Sequence, residues 1–186
     1  MYNQQAMPAA AIGTFSDYAG AEAAVRALGL GGFDIEQLSV VGNGYHLDEH
    51  VAGFYNQGDH IRFWGKRGAF WTGLWSLFFG GMIVVVPVAG PVVMLGYLGS
   101  MAAAALEGAV EVGGVSVISA ALYDLGIPKD SVVQYETAIT TDCVVVIAHD
   151  SHQWIAVARF ILEAVGAAQV EVHHGLSPPD LTPLPA

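Results

Sequence analysis

From Ala69 to Leu106 the chain runs 38 residues without a charged side chain, and a stretch of that length has to be hidden from water. Its centre, SLFFGGMIVVVPVAGPVV (Ser76 to Val93), is broken by Pro87 to Pro91, where proline ends a helix. The run therefore reads as a hydrophobic helical hairpin over residues 69–125. A first arm, Ala69 to Val86, has 18 residues, about 27 Å at the helical rise. A second arm, from Val92, has 15 uncharged residues before Glu107, about 22 Å, and continues to about Leu125. That second arm falls short of the roughly 30 Å hydrocarbon core of a bilayer. Lipid can hide the hairpin, and so can copies of the same chain. Both readings stay open.

Composition agrees that much is hidden: 54% of residues are hydrophobic and 12% charged, where about 25% is usual. Mean hydropathy is +0.50. The net charge of −11, with six cations against seventeen carboxylates, lacks the positive footprint nucleic acid requires. Nucleic acid is excluded as a partner. Three of the six cations, Arg62, Lys66 and Arg67, cluster just before the apolar run, the placement expected on the cytoplasmic flank of a membrane segment. The lone Cys143 permits no disulfide framework within the chain. MYNQQAMPAA lacks the charged and apolar regions of a secretory signal, so cytoplasmic synthesis is expected.

The two ends of the chain share one layout. Residues 8–42 read as strand (Ala10 to Phe15), cap (Ser16 or Asp17), helix (Tyr18 to Leu28), glycine stop and strand (Glu36 to Val41). Residues 143–174 repeat it: strand Cys143 to Ala148, cap Asp150 or Ser151, helix His152 to Val165, stop at Gly166 and strand Gln169 to His173. Two βαβ units pair into an antiparallel sheet with both helices on one face, so the fold class is α+β: a split ferredoxin-like domain with the hairpin inserted. Residues 43–68 form a polar, aromatic connector, 126–142 a short helix opened by Pro128 and a turn, and 175–186 a proline-rich tail.

SDYAGAEAAVRAL, IEQLSVVG, the Gly-rich apolar centre, LGIPKDSVVQYE and the closing EVHH together resemble a bacterial family of general stress or heat-induced stress proteins, sometimes labelled permeases. The resemblance spans about residues 8–174, and LGIPKDSVVQYE is its most specific piece. It implies a stress-related, non-enzymatic role and transfers no catalytic residue. Where similar sequences have a Gly-containing turn after the short helix, this chain has Thr140, Thr141 and Asp142.

Gly96, Ser100, Ala104 and Gly108 recur every four residues, the spacing that lets two helix backbones approach closely. Phe63, Trp64, Trp71 and Trp75, interleaved with Lys66 and Arg67, read as interface anchors, at a bilayer surface or between subunits. Glu107 and Glu111, at i and i+4, and His46 and His50 are weak metal-ligand candidates. No phosphate loop, nucleophile elbow or His-Glu-x-x-His motif occurs, so no cofactor and no enzyme activity are expected. The expected function is a non-enzymatic, stress-associated scaffold that self-associates through its hairpin on the cytoplasmic face of the membrane. The alternatives are a water-soluble homo-oligomer and a metal-binding store.

Overall fold

The computed structural model describes residues 9–43, 53–56, 65–78, 80–86, 90–99, 117–150 and 152–174. Strand β1 (Ala9–Phe15) leads into helix α1 (Tyr18–Leu30), where Asp17 Oδ1 accepts the Gly20 N–H at 2.5 Å as N-cap. Gly32, at φ +97°, turns the chain out of α1 while the Phe33 N–H donates to the Leu28 carbonyl at 3.1 Å. A single 3₁₀ turn (Ile35–Gln37) then enters β2 (Leu38–Asn43). The middle of the chain contributes β3 (Gly53–Asn56), α2 (Gly65–Leu77), β4 (Gly80–Val86) and β5 (Gly90–Gly96). Helices α3 (Val117–Asp124) and α4 (Lys129–Thr140) follow, then β6 (Val144–Asp150), α5 (His152–Ala164) and β7 (Gln169–His173).

Among the described residues the strands form one seven-stranded sheet in the order β3-β4-β5-β2-β6-β1-β7, with every neighbouring pair antiparallel. The class is α+β, as expected. The terminal units supply β2, β6, β1 and β7, and their elements begin and end within two residues of the sequence reading. The central strands β1, β2 and β6 are buried on both faces, because helices cover both. On one face, Ala11, Phe15, Val40 and Val146 pack with Leu28 of α1, Trp71 of α2 and Leu162 of α5. On the other, Ile12, Val41, Val145 and Ile147 pack with Leu122 of α3 and Tyr135 of α4.

The expected helical hairpin over residues 69–125 is corrected where its two arms meet, while residues 100–116 of its second arm lie outside the described residues. Helix α2 ends at Leu77, and residues 80–86 and 90–96 are strands joined as a hairpin, with Met82 opposite Met94 and Val84 opposite Val92. Valine and isoleucine crowd a helix at χ1 but suit a pleated surface. Apolar side chains occupy both faces: Ile83, Val93 and Leu95 join one core and Met82, Val92 and Met94 the other. A strand buried on both faces loses the alternation that marks a one-sided strand, so it resembles an apolar helix in sequence.

Candidate functional site

Three of the sequence-derived site residues have other duties. Trp71 and Trp75 are not interface anchors but core residues, 0% and 6% exposed, and Trp71 Nε1 donates to the Asn43 carbonyl at 3.1 Å. Gly96 is not part of a helix stripe. It ends β5 opposite Ser39, at φ +81°, where a Cβ would lie 2.1 Å from the Leu38 carbonyl oxygen. At Gly96 the close neighbour is the backbone of strand β2 in the same chain, not a second helix. Lys66 and Arg67 fall in the first turn of α2. Ser100, Ala104, Gly108, Phe63, Trp64, Glu107, Glu111, His46 and His50 lie outside the described residues. Among the described residues no group of three or more His, Cys, Asp or Glu is placed to hold a metal ion.

The feature that stands out is the outer surface of α5. Ile155, Ala158 and Leu162, at i, i+3 and i+7, turn to the sheet and are buried. A helix that buried its only apolar stripe this way would be polar elsewhere, yet Trp154, Val157 and Phe160 are exposed, Phe160 at 71%. Leu30, at the C-terminal end of α1, is 91% exposed. The two helices meet here: the Trp154 ring lies edge-on to Phe33, centroids 5.6 Å apart, and beside Gly32, while Ile161 reaches Gly31. Both arginines of this layer are paired within their own helices. Arg26 bonds Glu22 at 2.7 Å and Arg159 bonds Glu163 at 2.9 Å, both i, i+4 pairs. The layer is therefore apolar and locally charge-balanced in a chain of net charge −11.

A second cluster sits on the opposite face. The hydroxyl of Tyr135 donates to Glu171 Oε2 at 2.9 Å and lies 2.8 Å from His173 Nε2. Burial, then the hydrogen bond to Glu171 and its negative charge, push the Tyr135 hydroxyl far above the usual phenol range. His149 stacks on Tyr97 with ring centroids 4.4 Å apart. Burial pushes both His149 and His173 below the usual imidazole value. A third feature is an open groove of about 490 Å³ at the start of α1, lined by Ser16, Asp17, Tyr18, Ala19, Glu22, Ala69 and Phe70. Tyr18 sits edge-on to Phe70 and Trp71 there, with centroids at 5.0 and 6.2 Å.

Leu30, Trp154, Val157 and Phe160 were missed as site residues, although a signal was present. HQWIAVARFILEA carries nine apolar residues against four polar ones, so its apolar arc is wider than a single buried stripe needs. Comparisons with protein-family models, with curated proteins and with solved structures found no match.

Proposed function

We propose that this chain is a non-enzymatic scaffold that self-associates through the outer face of α5 and the end of α1. The observation that carries the reading is the exposed row Trp154, Val157 and Phe160 on α5, with Leu30 exposed at the end of neighbouring α1. Exposed apolar rows rimmed by polar residues are the usual mark of an interaction surface. A second copy suits it better than lipid. Binding an anionic bilayer calls for free cations on the docking face, and the two arginines of this layer are already paired with Glu22 and Glu163. No described helix is long and apolar enough to cross a membrane.

The order β2-β6-β1-β7, all antiparallel, with α1 and α5 packed on one face, supports reading the two ends as a split ferredoxin-like unit. On that reading the insertion widens the sheet outward from β2 through β5, instead of projecting as a helical pair. The stress association rests on the resemblance of LGIPKDSVVQYE and its flanking segments alone.

Sedimentation of the full chain without detergent tests the proposal. The expected result is a dimer or larger species that Phe160→Glu converts to a monomer with an unchanged far-UV spectrum. A wild-type chain that stays at 19.5 kDa at high micromolar concentration overturns it. So does wild-type protein that floats with phosphatidylcholine vesicles while Phe160→Glu stays behind, which assigns the face to lipid.

A further inference from the structure

We propose that the sheet face beneath α4 carries an acid-sensitive latch: His149 and His173, neutral imidazoles flanking Ala10 in one row, keep edge strand β7 closed, and their protonation loosens it. The row follows from the register. Ala10 pairs with His149 on β6 and with His173 on β7, so all three side chains share one face, with the imidazoles two strand widths apart, about 10 Å.

Burial keeps each imidazole neutral, and its bonding fixes which nitrogen carries the proton. The Tyr135 hydroxyl has one proton, which it gives to Glu171, so its 2.8 Å contact with His173 is filled by His173 donating from Nε2. A second proton on His173 must go to Nδ1. At His149, Nδ1 is buried with no hydrogen-bond partner among the described residues, and the backbone bond with Gln37 falls to Nε2. Protonation there creates a buried N–H without an acceptor, on a ring stacked against Tyr97.

The charges around the pair only partly offset this. Glu171 lies 3.6 Å from His173 Nε2 and favours its cation, while the neighbouring His174 opposes it. Asp150 and the backbone bond with Gln37 favour the cation of His149. On α4, Lys129 and Asp130 are exposed in the first turn and Glu136 is held by Ser119 of α3. Strands β1 and β2 contribute no ionisable side chain. Burial prevails at both histidines. With folded values below the unfolded value of about 6.5, the protecting effect is whole above that pH and is lost as pH falls through the folded values. Strand β7 yields first because it has five residues and, among the described residues, pairs with β1 alone.

The test is NMR titration of the wild-type imidazoles together with amide exchange between about pH 7.5 and pH 5. Both imidazoles are expected to titrate below about 6.5, and β7 amides to lose about tenfold protection per unit of pKa depression, corrected for intrinsic rates, while β2 amides keep theirs. His149→Gln and His173→Gln should each blunt the loss, and the double variant should abolish it. Either imidazole titrating at or above about 6.5, or equal β7 protection at both pH values, overturns the proposal. The wild-type measurements decide even where a variant does not fold.

Discussion

At the residue scale, two backbone positions show how this chain manages conformations that most residues avoid. Asp142, in the turn between α4 and β6, has φ +69°, the left-handed region where glycine is usual, and its Oδ1 accepts the Tyr18 hydroxyl at 3.1 Å. Asp142→Ala should lower stability by about 2 kcal/mol, from lost local side-chain support and the lost Tyr18 bond. Asp142→Gly should stay within about 1 kcal/mol of wild type, since relief of strain offsets the missing bond. Urea unfolding of the two variants checks this, and equal losses would show that the conformation of Asp142 does not matter. At Gly96, φ +81° combines with the Leu38 carbonyl, so Gly96→Ala should cost about 3 kcal/mol by the same assay. The need for a small residue at position 96 was legible in the sequence. Its partner was not, because close approach of two helices and close approach of two strands select the same residue type.

Among the elements, β4 and β5 give the sharpest test of the fold. Met82 and Ile83 are adjacent, both under 3% exposed, and belong to different cores. Met82→Ala and Ile83→Ala should therefore each destabilise by about 3 kcal/mol. In a strand with one face in water, only one of the two would register. The terminal elements were readable because each carries punctuation: a capping aspartate before α1 and a glycine after it mark its ends in sequence and in structure. GGMIVVV and GPVVMLG carry no period, since helices cover both faces of the strands they form, and the proline between them suits a broken helix as well as a hairpin. The α5 surface was obscured for a related reason. Its excess of apolar residues is visible in HQWIAVARFILEA, but the share that turns outward depends on where the sheet lies.

For the molecule as a whole, charge and apolar surface act against each other. Every copy has net charge −11, so self-association through α5 works against mutual repulsion that salt screens. Sedimentation equilibrium at rising NaCl should show tighter association, and weakening with salt would instead mean that ion pairs drive it. Overall topology was legible only at the two ends: the βαβ layout was evident, whereas the sideways growth of the sheet through β5, β4 and β3 depends on pairings that no local pattern records. The position of β6 between β2 and β1 has a consequence for biosynthesis. Strand β1 emerges from the ribosome early, but its partners β6 and β7 are translated more than a hundred residues later. At about 5–20 residues per second, β1 waits roughly 7–30 s for β6 and β7, while β2, β5 and β4 can pair with one another in the meantime. Such a chain makes a long-lived client for ribosome-associated chaperones, and its yield in cells is set by how well that interval is guarded as well as by the stability of the finished sheet.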